Sequence, residues 1–112
     1  MADIFDTIAL MNILTIDTSE IHKIAVILRT DTQQWQQESQ QKFGSQALLG
    51  LINTVLKDAG IAMPDLTEVH VATGPGSYTG LRVGVAVANA LALALGIPVN
   101  GKKMETELNY SA

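Results

Sequence analysis

Apolar and polar positions change rhythm twice along this chain. Asn12 to Asp17 (NILTID) is short, rich in β-branched residues and closed by a polar turn, the pattern of a buried strand. His22 to Thr30 (HKIAVILRT) predicts a second strand, Asp31-Thr32 a turn, and Trp35 to Gln41 a third strand that is polar on both faces. That polarity places the third strand at a sheet edge, where solvated side chains discourage sheet-to-sheet association. Short turns between the three imply an antiparallel meander.

From Ser45 the period becomes helical. Ser45 is the expected N-cap, Ala47 to Ala59 the helix, and Gly60 its stop. Leu48, Leu51, Ile52, Val55 and Leu56 share one face, and Leu49 lies off that stripe. After a loop containing Pro64, Glu68 to Thr73 (EVHVAT) predicts a fourth strand. A glycine-rich loop follows, then a helix from Thr79 to Leu95, ended by Gly96-Ile97-Pro98. Val99-Asn100 opens a short fifth strand. The run from Val83 also alternates large and small residues with period two, which is a strand signal. Its length, its Ala and Leu content and the strand–loop–helix order decide for a helix. The order βββαβαβ predicts an α/β domain over 12–101, with a mixed five-stranded sheet and two helices on one face.

Residues 1–11 read as an N-terminal extension, or as a start-site artefact, because a second methionine, Met11, directly precedes the first strand. Residues 102–112 form a polar C-terminal tail with little to pack.

The second helix asks for more cover than one sheet supplies. Gly80, Gly84, Ala88 and Ala92 recur every four residues and form a ridge that permits close helix–helix approach. Val83, Val85, Val87, Leu91, Leu93 and Leu95 point in several directions around the rest. A helix apolar all round is buried all round, so its far side should meet another helix, domain or chain. The apolar arc of the first helix is also wider than a sheet-facing stripe needs. The expected docking surface comprises Leu48, Leu51, Ile52 and Val55 from the first helix, and Gly80, Leu81, Arg82, Gly84, Val85, Ala88 and Ala92 from the second.

Composition narrows the chemistry. The 112 residues suffice for one core, and 47% hydrophobic with 16% charged residues argue against disorder. The net charge is −4 and no Lys/Arg cluster is present, so direct nucleic-acid binding is not expected. The absence of cysteine removes disulfides, thiolate zinc sites and a Cys nucleophile, and fits a reducing cytoplasm. The N-terminus lacks the basic region of a signal peptide. The apolar run Val83–Leu95 is shorter than the roughly 20 residues of a membrane-spanning helix.

Two stretches invite a chemical reading. The first is GPGSYTGLRVG, whose loop comprises Gly74, Pro75, Gly76, Ser77, Tyr78 and Thr79. Glycines between a strand and a helix can bring backbone N–H groups close to an anion. Here G-x-G-x-x-x-G is one residue longer than the dinucleotide fingerprint. A P-loop would need Lys where Leu81 stands, and Arg82 is the only nearby cation. The competing reading is a tight turn that starts a helix, capped by Ser77 or Thr79.

The second stretch is Asp17-Thr18-Ser19, which is either a metal–nucleotide contact of the kind found in actin-like ATPases or a capped turn. His22 and His70 form no ligand pair, and Ser77 lacks a nucleophile elbow. Trp35 is either an exposed binding residue or packing at a sheet edge. No catalytic residue, cofactor or metal is expected.

ILTIDTS, the helix ending in DAGI, and VATGPGSYTGLRVGVAVANALALALGIPV together resemble the TsaB (YeaZ) family of bacterial tRNA threonylcarbamoyladenosine biosynthesis proteins, over residues 12–101. The resemblance implies an actin-like (ASKHA, RNase H-like) fold. It implies a non-catalytic subunit that docks on a TsaD-type catalytic subunit for threonylcarbamoylation of adenosine 37 in tRNA, joined by a TsaE-type ATPase. It implies homodimers in isolation, contact with tRNA only through the partner, and a motif loop that serves as entry to an interface helix. Family members carry a second, similar domain, and on this resemblance the sequence is expected to hold only the first. The alternative is a nucleotide-dependent phosphotransferase fragment of the same fold, using Asp17 and the loop from Gly74 to Gly80 and binding ATP with magnesium.

Overall fold

Leu14 and Ile16 lie on one face of the first strand and Thr15 and Asp17 on the other, and this alternation sets the layers of the domain. The computed structural model describes residues 10–20, 22–40 and 44–110. The expected extension over 1–11 therefore lies outside the described residues except for Leu10 and Met11. Strands β1 (Ile13–Asp17), β2 (Ile24–Arg29) and β3 (Gln34–Ser39) are followed by helix α1 (Ser45–Ala59), a 3-10 turn (Met63–Asp65), strand β4 (Glu68–Val71) and helix α2 (Tyr78–Leu95). The sheet order is β3-β2-β1-β4. The meander is antiparallel, and β4 runs parallel to β1 with Leu14 opposite Val69 and Ile16 opposite Val71.

The register brings the apolar sides of β1, β2 and β4 to one face, with Trp35 of β3 beside them. Leu14, Ile16, Val26, Leu28, Val69 and Val71 are buried there against Leu48, Ile52, Val55, Val85, Ala88 and Ala92 of the two helices. Helix α1 lies on β2 and β3, and α2 lies on β4 and β1. Both helices share one face of the sheet, as expected. The polar strand β3 is at an edge, also as expected, and Trp35 is half-buried there against the core.

The sheet has four strands, not five. Val99 makes a single parallel bridge to Val69. The ladder stops because Asn100 (φ 51) and Gly101 (φ 76) both take the left-handed conformation. Val99 and Lys102 then exchange two backbone hydrogen bonds, at 2.8 and 2.9 Å, across a two-residue turn. Asn-Gly is the dipeptide that such a turn favours. The Asn100 side chain takes over the missing strand's role. Its Oδ1 accepts from the Val71 N–H at 2.9 Å, and its Nδ2 donates to the Val71 carbonyl at 3.0 Å.

Several boundaries shift, and β2 is shorter than expected at both ends, running Ile24–Arg29. β3 ends at Ser39, with Gln41 outside the described residues, and β4 ends at Val71. Gly44, not Ser45, is the N-cap of α1, because its carbonyl receives the first helical bond, from Leu48 N–H at 3.0 Å. The tail, expected to have little to pack, is packed. Glu105 is 5% exposed, Leu108 joins the core, and the Asn109 N–H donates to the Thr73 carbonyl at 2.7 Å.

Candidate docking site

The glycine loop is folded onto the chain's own first turn. Asp17 Oδ1 accepts from the Ser19 N–H at 2.9 Å and from Ser19 Oγ at 2.6 Å, which closes the Asp17-Thr18-Ser19 turn on itself. The Ser19 carbonyl accepts from the Ser77 N–H at 3.0 Å, tying that turn to the loop. Ser77 Oγ caps α2 by accepting from the Gly80 N–H at 3.1 Å. The buried Thr18 hydroxyl donates to the Gly80 carbonyl at 2.5 Å.

The glycines are small because this packing is close. A Cβ at Gly76 would overlap Ser19, one at Gly80 would overlap the Thr18 carbonyl, and one at Gly84 would overlap Thr18 Oγ1. The hollow that remains beside Thr18, Ile24, Ser77, Gly80 and Val83 is about 130 Å³, and no cation lines it. Among the described residues no three His, Asp or Glu side chains converge. His70, on β4, pairs its Nε2 with Glu68 Oε2 at 2.6 Å, and His22 lies in the turn before β2. Of the two readings for each stretch, the geometry fits a capped turn and a helix start.

The small-residue ridge is a correction to the expected docking surface. Gly84, Ala88 and Ala92 face inward, and Leu81 and Val85 are buried with them. Leu48, Ile52 and Val55 of α1 are likewise in the core. These eight residues are buried within the domain and have little surface to offer. Leu51 and Gly80 are half-buried, and Arg82 is exposed. The physical reason is that the ridge lets α2 sit close on Thr18 and the sheet.

The outward face of α2 is a different one. Ala86, Ala90, Leu93 and Ala94 are exposed, Leu93 by 78%, and Val83, Val87 and Leu91 are half-buried around them. The expectation of an apolar helix with one uncovered side is thus met by other residues. Counted from Tyr78, the helix has 18 residues and by length and composition alone could cross a membrane, contrary to the shorter count from Val83. Its inner face is built into the core, so it is a component of the domain.

Two further features were not legible in advance. Arg82 Nη1 donates to the Tyr78 hydroxyl at 2.5 Å, and its guanidinium lies over the Tyr78 ring, 5.3 Å from the centroid. The Tyr110 ring lies 4.7 Å from that of Tyr78. The spacing of Tyr78 and Arg82, four apart on a helix, was a usable signal. Nothing local announced Tyr110. The second feature is Glu105. Its Oε2 accepts from Lys102 Nζ at 2.9 Å and its Oε1 from Asn100 Nδ2 at 2.7 Å. The Lys102 hydrogen bond first, then that from Asn100, lower its pKa to about 2 against the opposing effect of burial. The Asn89 side chain of α2 pairs with the Glu105 backbone at 2.9 and 2.8 Å.

Comparison with known proteins agrees with this architecture. Residues 37–102 match the family model described as "TsaD: tRNA N6-adenosine threonylcarbamoyltransferase". The chain is 40% identical over 91 residues to the tRNA threonylcarbamoyladenosine biosynthesis protein TsaB of Bacillus subtilis, covering 80% of this chain and 40% of that protein. It is 30% identical over 91 residues to TsaB of Escherichia coli, covering 81% and 39%. The solved structure of YeaZ from Pseudomonas aeruginosa superposes with a TM-score of 0.74 at 29% identity, covering 80% of this chain and 41% of that one. The chain thus spans about two fifths of the length of these relatives.

Proposed function

Because the chain belongs to the TsaB/YeaZ family, built on the domain that the TsaD model describes, we propose that it acts in tRNA threonylcarbamoyladenosine biosynthesis as a non-catalytic subunit. In this reading it docks on a TsaD-type catalytic subunit. A TsaE-type ATPase joins the pair, tRNA is reached through the partner, and the isolated chain pairs with itself through the same surface. The observation that supports docking is the outward face of α2. Ala86, Ala90, Leu93 and Ala94 are exposed on a helix whose other face is fully committed to the core. Continuous apolar surface of this kind marks interaction sites.

A phosphotransferase reading draws less support. The Asp17 carboxylate is engaged by Ser19, and the glycines are occupied by backbone packing. The test is direct. Ala90→Glu places a charge on the outward face without touching the core. It should abolish co-purification with a TsaD-type subunit while thermal unfolding stays as in the parent. Retained binding by this folded variant would place the docking surface elsewhere.

A further inference from the structure

Helix α2 carries a single charged side chain in 18 residues, and that side chain is Arg82. It lies at the edge of the outward apolar face, near the helix N-terminus. A cation gains nothing from the helix dipole there. Among the described residues no carboxylate pairs with it, and its hydrogen-bond partner is the Tyr78 hydroxyl. The side chain is nonetheless held. The hydrogen bond and the Tyr78 ring fix the guanidinium from two directions, and Tyr110 backs that ring. Tyr78 is 52% exposed and Tyr110 45%. An arginine anchored in this way has already lost rotamer freedom and keeps most of its N–H donors facing outward. Tyr and Arg next to an apolar stripe form the kind of cluster that dominates binding energy at protein interfaces.

We infer that Arg82, positioned by Tyr78, is the orienting contact of the docking surface, and that the partner's face presents an Asp or Glu carboxylate to it beside an apolar stripe. This inference rests on the docking reading and deepens it. An apolar face such as Ala86, Ala90 and Leu93 holds a partner but leaves it free to slide or reverse. One charge at one end fixes direction and register. A protein carboxylate is favoured over a tRNA phosphate because the chain carries a net charge of −4 and the nearest surface is apolar, not basic.

The experiment measures the dissociation constant for a TsaD-type subunit with the parent chain, Arg82→Ala, Arg82→Glu, Arg82→Lys and Ala90→Glu, at low and high salt. Each variant is first checked for unchanged unfolding. Arg82→Ala should weaken binding about tenfold or more, and Arg82→Glu about a hundredfold. Arg82→Lys should recover only part, because an ammonium lacks the planar fork. An Asp or Glu to Lys change in the partner should restore binding to Arg82→Glu. If the Arg82 variants bind like the parent while Ala90→Glu does not, the orienting contact is refuted and docking stands. If Ala90→Glu also binds like the parent, the outward face of α2 is not the docking surface and this inference fails with it. If Arg82→Glu leaves the protein complex intact but weakens its hold on tRNA, the group that Arg82 meets is a phosphate and the carboxylate assignment is overturned.

Discussion

Thr18 Oγ1 occupies the space that a Cβ at position 84 would take, so Gly84 is glycine because of a residue 66 positions earlier in the chain (84 − 18). Thr18 is not free to move aside, since its hydroxyl is spent on the Gly80 carbonyl. Two effects oppose each other in Gly84→Ala. Helix propensity favours Ala by about 1 kcal/mol, and overpacking against a pinned, β-branched neighbour costs about 1–3 kcal/mol. The overpacking should win, and chemical denaturation should show a net loss. In a Thr18→Ala background the same substitution should cost close to nothing. A double-mutant cycle measures that coupling. Equal costs in both backgrounds would show that the contact does not set the identity of residue 84.

That contact also marks where sequence reading succeeded and where it stopped. The four strands and two helices were legible because their apolar periods are clean and their ends are punctuated by Gly60, Gly96 and Pro98. The small-residue ridge was legible as a demand for close approach. Its direction was not, because period four fixes a stripe on a helix but not what the stripe faces. Here it faces Thr18, far away in sequence. A fifth strand is expected because Val99-Asn100 looks extended in isolation. The Asn100-Gly101 turn signal outweighs it. The packing of the tail depends on Glu105 meeting Asn89 and Asn100, which no local pattern encodes.

Ala88 and Ala90 are two residues apart on α2 and should respond oppositely to the same change. Ala88 is fully buried, while Ala90 is exposed. Ala88→Glu leaves an uncompensated charge in the core and should cost about 3–5 kcal/mol, enough to unfold a marginal domain. Ala90→Glu should change stability by less than about 0.5 kcal/mol. Thermal melts of the two variants side by side check the orientation of the helix. A stable Ala88→Glu protein would mean that the inner and outer faces have been exchanged.

Asn100 should be sensitive for two separable reasons. Its backbone is left-handed, which Asn and Gly tolerate and a Cβ-bearing apolar residue does not. Its side chain satisfies both the N–H and the carbonyl of Val71. Asn100→Ala loses both features and should cost about 2–4 kcal/mol. Asn100→Gly keeps the conformation and should recover about 1 kcal/mol of that. Hydrogen exchange gives a local readout, since the Val71 amide should exchange faster in both variants. An unchanged Val71 amide would show that the side chain does not stand in for a strand.

Glu105 ties acid sensitivity to the tail. Its pKa is lowered from 4.5 to about 2, chiefly by the Lys102 hydrogen bond and next by that from Asn100. The same contact raises the pKa of Lys102. A carboxylate with a depressed folded pKa stabilises the fold above its unfolded pKa, and that contribution is lost as pH falls through the folded value. Stability should therefore be flat for this group above about pH 5 and decline between roughly pH 5 and pH 2. The full lowering corresponds to about 3 kcal/mol, an upper bound because Lys102 stands half in solvent, where water screens the pair. Glu105→Gln keeps the shape and removes the titration. Denaturation midpoints across this range should fall less steeply for the variant than for the parent. Parallel curves would show that Glu105 is not the group that couples tail docking to pH.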